Sequence, residues 1–424
     1  MLLGTSSIMA YDIMIDGIAY NYDDEHTSLI VTYTQLDETN YSGVTNVVLP
    51  ASLTIEDINY KVQEIGDFAF YGSGITSIII SSNISKVGDR ALAHCPELTS
   101  ITVDWNNPYF NDDDQGNSLV DSETQTLIAG CSSTVMSSSI DNIEAFAFSG
   151  CKNLTSIYIP SSVLKIGYEA FEGTGLTNIT IPQSVHEIGY RAFANCDSLS
   201  SITVNTSNRK YDSREDCNAI IEIATGKISA ACKGTIFPSD VTTIGYEGFG
   251  GLSGIDNIVI PQTITTIGHY AFRESPELKV VDIAGSVDYF GDRAFENCTG
   301  LERVYARLAN PQNAQYGNCE TFKGVAVDTC LLVVNDGLVD LYRATMPWSE
   351  FLYIKQMSEV EEGLRGDVTG DGIVDIEDVN AVINIILKVK TQDDYPGNAD
   401  LNNDGTIDVD DMNIIINIIL SQHT

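Results

Sequence analysis

The sequence predicts a solenoid of stacked short parallel strands with β-rich caps, followed by a small α-helical domain. Three observations predict it. A six-residue phrase recurs eight times between residues 65 and 295. A second phrase of spaced apolar residues follows most copies of the first. Near the C-terminus, two acidic twelve-residue loops, 33 residues apart, each run into an apolar helix.

The first phrase is an aliphatic residue, usually Gly, two variable residues, then Ala-Phe. It reads IGDFAF from Ile65, VGDRAL from Val87, IEAFAF from Ile143 and IGYEAF from Ile166. The later copies are IGYRAF from Ile188, IGYEGF from Ile244, IGHYAF from Ile267 and FGDRAF from Phe290. Successive starts differ by 22, 56, 23, 22, 56, 23 and 23, so an insertion of one size occurs twice. The second phrase reads LTSITV at 98–103, LTSIYI at 154–159, LTNITI at 176–181, LSSITV at 199–204 and LKVVDI at 278–283. Its apolar residues fall at i, i+3 and i+5, and the last two alternate as a strand with one buried face requires. Each unit therefore predicts one short strand and a tight return containing Ala-Phe. Such a unit cannot bury its apolar face alone, but a stack of copies can. At about 4.8 Å between paired strands, eight coils would span roughly 40 Å.

The pattern Ile-Gly-x-x-Ala-Phe, small residue or Cys, then Leu-x-x-Ile-x-Ile-Pro resembles the BspA-type leucine-rich repeats of bacterial surface proteins, over roughly residues 47–310, with Pro160, Pro182 and Pro261 matching. The resemblance implies a leucine-rich repeat solenoid of short parallel β-strands and tight turns or 3-10 segments, and adhesion to proteins or cells. The repeats then run over 65–310, with islands at 104–142 and 205–243 that align Asn107-Pro-Tyr-Phe with Asn208-Arg-Lys-Tyr. Residues 11–64, with IDGIAYNY, VVLP and YKV, resemble the N-terminal cap, and 311–357, with Trp348, Phe351 and Ile354, the C-terminal one. Caps are needed because a bare solenoid end exposes unpaired edges and core.

Nine cysteines suggest a disulfide framework until they are placed in the repeat. Cys95, Cys151, Cys196 and Cys298 each fall three residues after the phrase's final Phe (Leu92 in one copy), where Ser73, Thr174 and Ser275 stand in other coils. Cys131 and Cys232 each precede a repeat start by twelve residues. All six read as small buried residues. Cys217, Cys319 and Cys330 have no repeat position, and a Cys319–Cys330 bridge is open to a secreted chain.

The loops at 367–378 and 400–411 read DVTGDGIVDIED and DLNNDGTIDVDD. Calcium takes six to eight oxygens at about 2.3–2.6 Å, and a twelve-residue loop supplies them from positions 1, 3, 5, 7, 9 and 12. Those positions hold Asp367, Thr369, Asp371, Ile373 through its carbonyl, Asp375 and Asp378 in the first loop. In the second they hold Asp400, Asn402, Asp404, Thr406 through its carbonyl, Asp408 and Asp411. Position 6 must turn sharply and is Gly372 and Gly405; position 8 points to the core and is Val374 and Ile407. The plain alternative, two acidic turns, does not account for the full ligand spacing occurring twice in register. Two calcium ions follow, with the first site the weaker because Thr369 stands where Asn or Asp is usual.

NAVINIILK from Asn380 and NIIINIILS from Asn413 predict twin helices. Asn380, Asn384 and Lys388, and Asn413, Asn417 and Ser421, make one narrow polar stripe on each. The rest is apolar, so each helix needs cover on more than one side. This loop-helix pair, over 363–424, is similar to a type I dockerin, which implies calcium-dependent binding of a cohesin-like domain. The near-identical halves fit binding in two orientations. The resemblance points to Ile376, Glu377, Ile383, Asn384, Lys388, Val409, Asp410, Ile416 and Asn417 as partner contacts. Ile376-Glu377 and Val409-Asp410 depart from the Ser-Thr pair common at positions 10 and 11.

With 59 acidic against 22 basic residues the net charge is −37, which disfavours nucleic acid and anionic lipid as partners. No stretch is long and apolar enough to span a membrane. Residues 1–10, MLLGTSSIMA, read as the tail of a secretory signal with Ala10 at the cleavage position. The reading that results is a secreted or cell-surface, non-catalytic protein, whose repeats take a protein or glycan ligand and whose tail docks to a partner. One alternative is an enzyme of a polysaccharide-degrading assembly. His26, His94, His186, His269 and His423 form no cluster in sequence, and the acidic runs at 112–114 and at Asp212, Glu215 and Asp216 read as solvated turns. Another is a tail that only packs on the repeats, which the short linker 358–366 permits.

Overall fold

The structure is a computed structural model and describes residues 11–36, 40–113, 116–318, 320–361, 367–370, 374, 376–395, 399–401 and 406–421. The signal-like residues 1–10 lie outside this set. The second phrase of the repeat forms four-residue strands whose burial alternates, as in Ser77–Ile80, Ser100–Val103 and Asn178–Ile181. These pair in parallel with the same phrase one coil on, and the longest run joins Asn257–Ile260, Val280–Ile283, Arg303–Ala306, Leu331–Val334 and Tyr353–Gln356.

The expectation of one strand per coil is corrected. The residue pair that ends on the aliphatic residue of the first phrase is itself a two-residue strand. These pairs form a second parallel ladder, as in Asn142–Ile143, Lys165–Ile166 and Glu187–Ile188. The period-2 signal cannot show a strand of two residues, because alternation needs more positions than that.

The third side of each coil is the Gly-x-x-Ala-Phe segment. In all eight copies the residue before the Ala or Gly is left-handed, from Phe68, Arg90 and Phe146 to Tyr270 and Arg293, with φ between 50° and 62°. This turn lets backbone bonds continue from coil to coil, as in Phe148 N–H to Ala170 carbonyl at 2.8 Å and Phe272 N–H to Ala294 carbonyl at 2.7 Å. The Gly of the phrase is a spacing requirement. A Cβ on Gly88, Gly167 or Gly189 would lie 2.4 Å from a backbone nitrogen of the preceding coil.

Inside, the Phe residues stack into columns. Phe148, Phe171 and Phe193 lie 5.1 and 5.6 Å apart, and Phe249, Phe272, Phe295 and Phe322 follow at 5.1, 5.0 and 5.3 Å. Phe322 belongs to a ninth, degenerate coil that the sequence reading placed in the cap. Gln315–Tyr316 and Leu331–Val334 extend the two ladders there. Trp348 then closes the column, edge-on to Phe290 and 5.3 Å from Phe322, with its indole N–H donating to the Tyr316 hydroxyl at 2.7 Å. At the other end, strands Ile13–Ile15, Ile18–Tyr22 and Ser28–Thr32 build a sheet onto Ile58–Ile65, whose last residues start the short-strand ladder. The expected linker begins as a helical turn, Met357–Glu361.

Each island is a hairpin, Ser118–Asp121 with Thr126–Gly130 and Ala219–Glu222 with Lys227–Ala231, carrying a register shift at the same place in both. Its second strand pairs in parallel with the next short strand, at Asn142–Ile143 and Thr243–Ile244, so an island takes a coil's place in the stack. The island carboxylates are corrected in part: Glu215 and Asp216 are exposed as expected, Asp114 lies outside the described residues, and two of the group tie distant segments together. Asp113 is buried and accepts the Ser137 N–H at 2.8 Å, and Glu215 accepts the Ser239 hydroxyl at 2.9 Å. One expected strand is missing: LTSIYI at 154–159 joins no ladder.

The cysteines occupy the expected buried slot. Cys95, Cys196 and Cys298 donate to the Phe carbonyl of the coil before, Phe70, Phe171 and Phe272, at 3.0, 3.1 and 3.0 Å, and Ser275 does the same to Phe249 at 3.3 Å. Cys217 and Cys330 are buried free thiols; Cys319 lies outside the described residues. Cys330 is bridged to none of the described cysteines, and the Cys319–Cys330 pairing lies outside them. Burial pushes the thiols up, to about 11 for Cys95 and Cys196 and about 12 for Cys298. Iodoacetamide at pH 8 should leave these three unmodified in the native protein and label them in urea, read by mass spectrometry of tryptic peptides. Phe272→Ala, in the middle of the longer column, should cost about 3–5 kcal/mol and lower the urea midpoint.

Candidate metal centre

The C-terminal module consists of helices Ile376–Ile386 and Val409–Ser421 packed on each other. Both start inside the loop sequence, four residues before the Asn expected to open them. Val379, Ala381 and Val382 from the first helix and Ile415 from the second bury together with Val368, Val374, Ala399 and Leu401 from the loops. Lys388 lies beyond the first helix, in the left-handed turn that ends it, which removes it from the expected helical stripe. Asn384 is half-buried, and its amide donates to the Tyr395 hydroxyl at 3.2 Å.

The two position-12 residues, Asp378 and Asp411, are both 0% exposed. Each is the third residue of its helix, and each reaches back to the start of its own loop. Asp378 Oδ1 accepts the Thr369 N–H at 2.8 Å and the Thr369 hydroxyl at 2.9 Å; Thr369 also donates to Asp367 Oδ1 at 3.4 Å. Asp411 accepts the Leu401 N–H at 2.8 Å and the Asp408 N–H at 2.9 Å. Positions 1, 3 and 12 of the first loop thus share one network, as do positions 9 and 12 of the second. Asp400 is half-buried, and Thr406 and Asp408 are exposed. Asp371, Gly372, Ile373 and Asp375, and Asn402, Asp404 and Gly405, lie outside the described residues. Among the described residues no group of three His, Cys, Asp or Glu converges.

Of the expected partner contacts, Ile376, Glu377, Val409 and Asp410 are exposed on the first helical turns, and Ile383 and Ile416 are half-buried. Asn417 lies in the second helix, and its side chain is outside the described set. Leu387 and Val389 are also exposed and were not singled out; Leu387 was expected inside the helix and Val389 just past it.

A second polar cluster was invisible in the sequence, since its members come from four coils. Ser149 Oγ lies 3.1 Å from His94 Nε2 and donates to Glu172 Oε2 at 2.9 Å, and Asn195 donates to Glu172 Oε1 at 2.6 Å. It is not a nucleophile triad. Ser149 is buried, and Glu172 meets the same His94 Nε2 at 3.3 Å, whereas a triad carboxylate holds the opposite ring nitrogen.

The BspA type leucine rich repeat region matches residues 40–113, 128–223 and 227–325, in six copies. The chain belongs to this family. The dockerin type I domain matches residues 365–420, a domain class that binds calcium and takes cohesin-type protein partners. Neither class is catalytic, and both are typical of extracellular or cell-surface proteins. No curated protein matches the chain. Among solved structures, it is similar to a leucine rich cell surface protein from Faecalibacterium prausnitzii, at 18% identity, 81% of this chain, 94% of that one and a TM-score of 0.43. It is also similar to the pneumococcal vaccine antigen PcpA, at 15%, 81%, 98% and 0.38. A leucine-rich repeat protein from Bacteroides ovatus gives 21%, 82%, 100% and 0.31. Among the described residues no helix is long and apolar enough to cross a membrane.

Burial pushes the Glu172 carboxyl up, but the hydrogen bonds from His94, Asn195 and Ser149 and the His94 charge outweigh it and hold it at about 2, below its ordinary 4.5. The unfolded chain therefore takes this proton first as pH falls. The stabilisation is complete above pH 4.5 and is lost towards pH 2, about 3 kcal/mol in all. Urea midpoints across that window should fall less steeply for Glu172→Gln than for the unaltered protein.

Proposed function

We propose that this chain is a non-catalytic binding protein of the cell surface or extracellular space, whose C-terminal module folds around one calcium ion per loop and docks to a cohesin-like protein. The observation that carries the reading is the pair of fully buried carboxylates, Asp378 and Asp411, at the same position of both loops. A buried carboxylate is costly unless positive charge meets it, and oxygen-only surroundings suit a hard cation. The first ion would be held by Asp367, Thr369, Asp371, the Ile373 carbonyl, Asp375 and Asp378. The second would be held by Asp400, Asn402, Asp404, the Thr406 carbonyl, Asp408 and Asp411. Calcium supplies the charge that lets each loop close on its helix.

The docking surface is the exposed start of each helix, Ile376-Glu377 and Val409-Asp410. Ile383, Asn384 and Lys388 flank it in one half, and Ile416 and Asn417 in the other. Two similar halves give a partner two equivalent ways to bind. The repeats are the second binding surface of the same molecule.

The full-length chain should be retained on immobilised type I cohesin in calcium and released by EDTA. Asp378→Asn with Asp411→Asn should abolish retention, and calorimetry should count one ion per loop in the unaltered chain. Retention that EDTA does not change would sink the reading.

A further inference from the structure

The four-residue strands of the N-terminal and middle coils leave their third side chain facing solvent, and these positions form an outward column along that part of the stack. It holds Val48 and Ile79 at the N-terminal end, Tyr158 and Thr180 in the middle and Val259 beyond the second island, and the islands add Val135 and Ile236. Around Tyr158 the column opens into a groove of 590 Å³, a size range that holds small ligands. Three features of this groove converge.

Tyr158 is 75% exposed, and among the described residues its hydroxyl has no hydrogen-bond partner, so its ring stands free as a stacking face. The groove wall carries no charged side chain; beside Tyr158 it presents Val135, Asn178, Thr180, Gln183 and Asn205. That is unusual surface for a chain with 59 acidic and 22 basic residues. Its floor is the coil that joins no strand ladder. Among the described residues no hydrogen bond reaches the backbone of 156–159, where other coils use these N–H and carbonyl groups for their neighbours. Trp105, 90% exposed, occupies the position two residues past its strand that Gln183 occupies past Asn178–Ile181, which places a second free ring on the same edge.

We propose that this groove binds a neutral glycan chain. A sugar ring presents C–H groups to an aromatic face and carries both donors and acceptors for amides, hydroxyls and open backbone groups. Absence of charge fits a ligand without charge, and the net charge of −37 repels an acidic polysaccharide. A folded protein partner would leave these scattered amide and backbone groups poorly matched, because its own polar groups are mostly engaged. The proposal deepens the reading of the repeats as a binding surface and stands apart from the calcium module.

The test is affinity electrophoresis of the full-length chain through gels containing mixed-linkage β-glucan, xylan, galactomannan or, as the acidic control, polygalacturonate. At least one neutral polymer should retard it, and polygalacturonate should not. Tyr158→Ala should weaken that retardation about tenfold and Tyr158→Phe should keep most of it, with thermal unfolding unchanged because the ring is exposed. EDTA should leave retardation intact while it abolishes cohesin capture, so the two readings fail separately. Passage through all three neutral gels without delay overturns the proposal. So does unchanged retardation of Tyr158→Ala, or equal retardation by polygalacturonate. Capture of a protein that Tyr158→Ala releases, with no polysaccharide retained, assigns the groove to a protein instead.

Discussion

The solenoid depends on how closely one coil's backbone lies on the next. A coil of some 22 residues has too little interior to bury its own Phe, Ile and Leu, so stability comes from the neighbour. The neighbour must then approach to strand spacing on all three sides at once. Two sides do this with parallel ladders. The third does it with left-handed residues, Arg90, Glu169 and Arg191 among them, that turn the chain so its N–H groups meet the next coil's carbonyls. Glycine at Gly88, Gly167 and Gly189 is what lets that side close, since any Cβ there would strike backbone. The stacked Phe columns and the thiol-to-carbonyl bonds fit the space that this approach leaves.

Charge is distributed by the same geometry. The interior takes Phe, aliphatic residues and single small polar groups, and the ionised side chains gather on the turns, where Glu172, Arg191 and Glu247 are buried. There Arg191 meets Glu169 at 2.7 Å and Arg293 meets Glu320 at 2.7 Å, bridging coils at the rim of the stack. The C-terminal module shows the same two features in a smaller space. It buries Asp378 and Asp411 and exposes Ile376, Leu387 and Val409. On the reading proposed above, calcium would meet the first of these features and a docking partner would cover the second.

Much of this was legible in the sequence because repetition multiplies weak signals. The phrase period gave the coils and the inward faces, and the shared slot of Cys95, Cys196 and Ser275 gave buried thiols without a disulfide. The two loops, 33 residues apart, gave both carboxylates that the structure buries. What was not legible has physical causes. Two-residue strands have no periodicity to detect. The ninth coil hides behind a broken phrase at Tyr316-Gly317, recognisable only because Phe322 continues the column. Asp113 looked like a solvated turn because its serine partners lie 24 and 26 residues away. The His94, Ser149 and Glu172 contacts need the stack itself to bring distant coils together.

The islands set a larger period than the coil. Copies that start at 65, 87 and 143 recur at 166, 188 and 244, each 101 residues on, and the islands recur with them. Both islands hand the chain back to the short-strand ladder at the same register, Thr126 on Asn142 and Lys227 on Thr243. The backbone ladders join each rung only to the rungs beside it, and the caps cover only the two ends of the stack. The architecture therefore tolerates a change of length in units of this block. A lineage carrying this architecture can lengthen or shorten its outer reach in single genetic events without redesigning either end.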